Sequence, residues 1–166
     1  MNNCEIFQPQ SGDNFKLIFP ELPISDNLED GKSLTLSIYN TIIPGMSFNE
    51  EDLDWQSFKS RGIFSNLEYD PLTATFMIDN KLKNWKILCK WLKHINNNKD
   101  VGGKLLNDYI TDSSLIIYGN YGDTILTLEF PGMFIKSLGS INLNQREGEQ
   151  FLECEATFLY DYFDIV

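Results

Sequence analysis

Between Asn80 and about Asn97 the apolar residues Leu82, Trp85, Leu88, Cys89, Leu92 and Ile95 recur every three to four positions, the spacing of one face of an α-helix. Along the rest of the chain apolar residues tend to alternate with polar ones. A single helical period set inside a strand-like chain leaves few folds open. Sheets bury one face and a helix buries one stripe, so both must share a core. The expected architecture is mainly β: an antiparallel barrel or sandwich with one flanking helix over about 80–97, in a single domain spanning 1–166. Asp79 stands where an N-cap is required, because its carboxylate can accept a first-turn N–H and suits the positive end of the helix. Lys81, Lys83, Lys86, Lys90 and Lys93 take the remaining positions. The run Asn96-Asn97-Asn98 ends the pattern, since asparagine tolerates the left-handed conformation of a helix terminus.

The strands read as follows. Asn14 to Phe19 alternates loosely and stops at Pro20. Ser33 to Ile43 places Leu34, Leu36 and Ile38 on one face and ends at Pro44-Gly45, a turn signal. Leu72 to Ile78 alternates Leu72, Ala74, Phe76 and Ile78 with polar residues. Ser114 to Asn120 and Thr124 to Phe130 flank Tyr121-Gly122-Asp123 as one hairpin. Gly139 to Asn144 and Gln150 to Phe163 flank Gln145 to Glu149 as another. The acidic stretch from Pro44-Gly45 through Arg61 shows no period and reads as an irregular loop. Val101-Gly102-Gly103 reads as a flexible link after the helix.

A chain of 166 residues with 42% hydrophobic and 22% charged residues can bury a core without disulfides or metal. Its 24 acidic residues against 13 basic ones give a net charge of -11. Tight binding to a nucleic-acid backbone needs clustered Lys and Arg to displace counterions, and that surplus is missing. A negative wall past which DNA slides is compatible with the same balance. Five lysines and no acid fall between Asn80 and Asn98, so the remaining chain is more acidic still. That asymmetry suits a basic helix set apart from an acidic surface, and equally a helix that uses lysine because lysine is a good helix former. Cys4, Cys89 and Cys154 are far apart with no CxxC, which gives neither a disulfide framework nor a zinc site and suggests a reducing compartment. The opening MNNCEIFQPQ lacks the basic-then-apolar order of a signal peptide. No apolar run of about 18 residues is present to span a membrane.

Catalytic chemistry has little to stand on. His94 is the only histidine and reads as a surface residue near the helix end, where the dipole favours its protonated form. GxSxG, HExxH, P-loop and GxGxxG motifs are missing. Gly102-Gly103 follows a helix, the wrong order for a phosphate cradle. Glu50, Glu51, Asp52 and Asp54 are the best candidates for an acid–base pair, but neighbours in one short run do not readily face each other across a substrate. The same run lacks the spacing of a calcium loop. No catalytic, cofactor or metal set is therefore assigned, and no enzyme activity is expected. Trp85 reads as core. Trp91, one step off the stripe, reads as covering a rim or a contact between subunits. Trp55 either tucks back onto its own domain or docks on a neighbour.

Several segments, taken in order, resemble the tail tube proteins of contractile-tailed bacteriophages. YDPLTATFMIDNKLKNWKILCKWL (Tyr69 to Leu92) is similar to the family's strand, acidic step and Trp-bearing helix, through Leu72, Thr73, Thr75, Phe76, Asp79, Trp85 and Trp91. IIPGMS (Ile42 to Ser47) resembles its Pro-Gly turn. YITDSSLIIYGNYGDTILTLEFPGMFIKSLGSINLN resembles its acidic strand, hairpin and Leu-Gly-x-Ile segment, and EATFLYDYF its C-terminal strand. Lys136 stands where the pattern has proline, and FNEEDLDWQSFKSRG has no counterpart. The resemblance implies a structural virion protein of the phage tail, assembled in the host cytoplasm. It implies hexameric rings that stack into a DNA-conducting tube, with DNA as passing cargo. The partners implied are further copies of the chain, the tail sheath, the baseplate and tail-terminator proteins, with no membrane binding and no cofactor. The secreted tube proteins of type VI secretion systems are similar in architecture. The departures leave open a specialised tube initiator or baseplate protein, or a tail-end cap. A monomeric β-sandwich binding module and a hydrolase using the Glu50 to Asp54 cluster are the readings from other classes. The segment at about 45–62 is the expected assembly loop. Phe48, Glu50, Glu51, Asp52, Asp54, Trp55 and Phe58 within it, together with Trp91, are the interface candidates.

Overall fold

The computed structural model describes residues 14–24, 34–36, 38–55, 58–98, 108–143 and 151–166, with 49–65 described through the backbone alone. Ten strands and one helix follow in chain order: β1 (Phe15–Phe19), β2 (Leu34–Leu36), β3 (Ile38–Thr41), β4 (Met46–Trp55), β5 (Phe58–Tyr69), β6 (Leu72–Met77), α1 (Lys83–Asn98), β7 (Thr111–Tyr118), β8 (Thr124–Leu138), β9 (Glu153–Leu159) and β10 (Asp164–Ile165). Strand pairing is antiparallel throughout these ladders. The main sheet runs β2-β1-β7-β8-β9-β6-β3, with β10 added alongside β8, while β4 and β5 pair only with each other.

Two features fold this path back on itself. Through Thr124–Met133, β8 pairs with β7, and from Phe134 onward it pairs with β9. Just before this change of partner, Pro131-Gly132 occupies a register shift in the β7 ladder, where Gly132 has φ 66, a conformation that costs an L-residue roughly 1–2 kcal/mol. Asp112 Oδ1 accepts the Gly132 N–H at 3.1 Å and fixes the bend. The second feature is β2 and β3, which end the path on opposite sides yet lie one residue apart in the chain. The ends are brought together covalently, while the hydrogen-bonded path among the described residues stays open. The result is an antiparallel sandwich rather than a closed barrel.

The core is built by alternation. Leu72, Ala74 and Phe76 of β6 stand opposite Phe158, Ala156 and Cys154 of β9, and all six are buried. Leu17 and Phe19 of β1, Leu115 of β7, and Leu128 and Phe130 of β8 complete the other half. Helix α1 joins the halves. Trp91 packs edge-on against Phe19 with ring centroids 5.7 Å apart and tilted against Phe158 at 6.3 Å. Its indole N–H donates to Tyr109 O at 2.9 Å.

Four expectations change. First, α1 begins at Lys83, because a turn closed by Leu82 N–H to Asp79 O (3.0 Å) intervenes and Leu82 takes φ 53. Asp79 still caps, its Oδ1 accepting the N–H groups of Lys83 (2.6 Å) and Lys81 (3.1 Å). Second, the buried stripe is turned by one step. Leu88 and Trp91 are fully buried, while Trp85, Ile87, Leu92 and Ile95 pack around them in part. Trp91 is thus a core residue of its own chain and not a rim or interface residue. Trp85 Nε1 is buried without a partner among the described residues. Third, the stretch read as an irregular loop is the hairpin β4–β5. Fourth, β8 continues through Pro131 to Leu138, and 139–143 form no strand. The turn expected at Gln145 to Glu149, the link at Val101-Gly102-Gly103, and Cys4 lie outside the described residues.

Candidate assembly surface

The β4–β5 ribbon stands apart from the main sheet, and its foot is tied firmly to the core. Asp70 N–H donates to Gly45 O at 3.0 Å across the base. Tyr160 Oη donates to Asp70 O at 2.6 Å. The Tyr69 ring meets Phe163 at 5.4 Å and Tyr160 at 6.2 Å, and Phe130 meets Tyr160 at 4.8 Å. Edge-to-face packing of this kind adds to area burial, so the ribbon departs from the domain at a fixed place.

Burial foremost, then the Asp70 carboxylate and Tyr69, raise the Tyr160 hydroxyl well above the ordinary tyrosine range. A folded-state value above the unfolded one favours the protonated phenol, so this contribution is complete below the unfolded value near 10 and is lost as pH rises above it. Tyr39, raised mainly by its hydrogen bond to Glu153, acts with the same sign. Denaturant unfolding followed from about pH 8.5 to 11 is expected to show falling stability, with a shallower fall in Tyr160→Phe. Identical slopes in the two proteins would remove Tyr160 from this account.

Along the ribbon Met46 pairs with Tyr69 and Phe48 with Leu67, the register then shifts, and Glu50 stands opposite Ile63, Asp52 opposite Arg61, Asp54 opposite Lys59 and Trp55 opposite Phe58. Glu51 stands opposite Gly62 and belongs to the alternate row. Opposite charges directly across an antiparallel pair stabilise it by a few tenths of a kcal/mol up to about 1 kcal/mol. In this register Asp52 and Asp54 stand opposite basic residues of the partner strand, while Glu50 and Glu51 stand opposite uncharged ones. At the foot, Ile42, Ile43, Met46 and Phe48 are all about half exposed or more. Four large apolar residues exposed within seven positions form a patch of the kind that marks a contact surface. Among the interface candidates on the ribbon, Phe48 is the one whose exposure is directly described. Ile42 and Ile43 were missed because they were read as the tail of a core strand.

Among the described residues, the other candidates are brought together with nothing reactive. His94 Nε2 lies 3.2 Å from Asp108 O. Cys89 and Cys154 are free thiols, both raised chiefly by burial. Among the described residues no cluster of three or more His, Cys, Asp or Glu side chains is placed to hold a metal. Among them, too, no helix is long and apolar enough to cross a membrane.

Comparison with known proteins agrees with this architecture. The chain is 23% identical over 168 residues to the tail tube terminator protein of Enterobacteria phage T4, covering 97% of this chain and 91% of that protein. A chain of the anti-feeding prophage baseplate superposes with a TM-score of 0.70 at 6% identity, covering 97% of both chains. A chain of the anti-feeding prophage tube-terminating cap superposes at 0.68 with 13% identity, covering 99% of this chain and 95% of that one. At such identities the superpositions establish a common fold. The sequence model of the phage tail tube proteins matches residues 9–166, nearly the whole chain, and the protein belongs to the phage tail tube protein family, a structural component of the phage tail.

Proposed function

We propose that this chain ends the tube of a contractile phage tail, forming a terminal ring on the stack of tube rings. The observation that carries this is the end-to-end similarity to a tail tube terminator, supported by a fold shared with a tube-terminating cap. The partners of such a ring are further copies of the chain, the last tube ring and the sheath around it. The Ile42–Phe48 patch at the foot of a projecting ribbon is suited to one of those contacts. DNA would pass such a ring without being held. The residues of β6 and β9 that alternate with the core positions, among them Thr73, Thr75, Thr157, Glu153 and Glu155, include no Lys or Arg that would retain a polyanion.

A second reading, the repeating subunit of the tube itself, is favoured by the family match. The two differ in copy number. Quantitative mass spectrometry of purified particles is expected to find one ring's worth of this chain per tail. A copy number that grows with tail length would overturn the terminal-ring reading in favour of the tube subunit.

A further inference from the structure

On α1, Lys83, Lys86, Lys90 and Lys93 follow one another at spacings of three, four and three residues, which places them on a single stripe. The stripe lies away from Leu88 and Trp91, which enter the core. Neighbours at these spacings touch, and like charges there destabilise a helix by a few tenths of a kcal/mol per pair. The helix itself contains no acidic residue. Lys86 donates from Nζ to Lys81 O at 3.1 Å, a contact with a neutral acceptor. In a chain of net charge -11, collecting lysines on one face is the less expected arrangement.

An opposite feature lies elsewhere on the molecule. Ser114 of β7, Glu129 of β8 and Asp164 of β10 form one row across three strands. With Asp112 and Tyr162 they line a groove that, among the described residues, no basic side chain lines. Asp112, Glu129 and Asp164 are all exposed. Carboxylates gathered along a groove suit lysine, whose slender stem fits a cleft and whose ammonium offers three donors.

We propose that the lysine stripe of one copy docks into the Asp112/Glu129/Asp164 groove of the next. The two patches differ and lie on different elements, so each copy is able to offer its stripe to one neighbour and its groove to another, a heterologous contact that makes a ring where the rotation closes. It offsets the mutual repulsion of copies that each carry a net -11, and charge pairing of this kind fixes orientation and register more than it adds affinity. The inference rests on the reading that copies of this chain assemble with one another.

The test is self-association by sedimentation velocity, with circular dichroism to check folding. Lys86→Glu/Lys93→Glu, which reverses the stripe, and Glu129→Lys/Asp164→Lys, which reverses the groove, are each expected to weaken association by about tenfold or more. All four changes in one chain are expected to restore it, and salt is expected to weaken the parent's association. If the stripe variant misfolds, Lys86→Gln/Lys93→Gln gives the same information through a smaller loss and a flatter salt dependence. A parent that stays monomeric at every concentration would remove both the assembly reading and this contact. A parent that assembles while the stripe variants match it would remove this contact alone. Loss in both reversed variants without restoration in the fourfold variant would remove the groove as the acceptor.

Discussion

Trp91→Ala is expected to cost about 3–5 kcal/mol of folding stability, a large share of what a domain of this size has to spare. The ring is fully buried and is the contact through which α1 meets both Phe19 of β1 and Phe158 of β9. Truncation leaves a cavity between the two halves of the sandwich, and surrounding strands held by ladders on both sides have little freedom to close it. It also removes the donor to Tyr109 O, leaving a carbonyl that must find another partner. Trp85→Ala serves as the comparison. Trp85 packs at the edge of the core and its Nε1 is buried with no partner among the described residues, so its removal also relieves an unsatisfied donor. Denaturant unfolding of both variants should give a clearly smaller loss for Trp85→Ala. Equal losses, or the reverse order, would overturn the orientation of α1 described above.

That comparison also shows where the sequence stops being informative. The three-to-four spacing between Asn80 and Asn97 announced a helix. Its apolar residues, however, spread over a wide arc, and which of them goes deepest depends on the partner surface. Phe19 and Phe158 offer a slot that takes Trp91, and nothing in the local spacing records this. The cap was legible in Asp79, but the extra turn through Leu82 was not, because a leucine at positive φ carries no compositional signal. Pro131 read as the end of a strand, since proline lacks the N–H a ladder needs. In β8 it falls in the register shift between the Ser113–Phe130 and Thr111–Met133 pairs with β7, a place where a strand tolerates a residue without an N–H. The alternating core strands β1, β6, β7 and β9 were legible because one face of each enters the core. The β4–β5 ribbon was not, for the complementary reason. It enters no sheet, so no buried face imposes alternation, and its acids are poor strand formers by composition. The family, in contrast, was legible from the order of the segments, which records topology even where single motifs are unspecific.

Shortening the ribbon is expected to separate folding from assembly. Replacing 50–63 with a two-residue Asn-Gly turn, which favours the tight hairpin geometry, should leave a chain that folds with nearly the parent's stability but no longer assembles. The foot survives in this variant, because Gly45, Tyr69, Asp70 and Tyr160 provide its bonds and ring contacts. The core residues among the described side chains all lie outside the replaced stretch. An isolated two-stranded ribbon is marginal in water, so twelve- and ten-residue strands that join no sheet of their own chain are suited to stabilisation by a neighbour. Trp55 and Phe58 pair at the tip, and an aromatic anchor seated in an interface is worth about 2 kcal/mol or more, repeated at every subunit of a ring. Trp55→Ala should therefore reproduce much of the assembly defect without shortening the chain, while a conservative Trp55→Phe retains more of it. Thermal unfolding reports the first half of this expectation, and light scattering with electron microscopy of assembled rings or tube ends reports the second. If the shortened chain assembles as the parent does, the ribbon is a decoration of the domain and the contacts between copies lie on other faces.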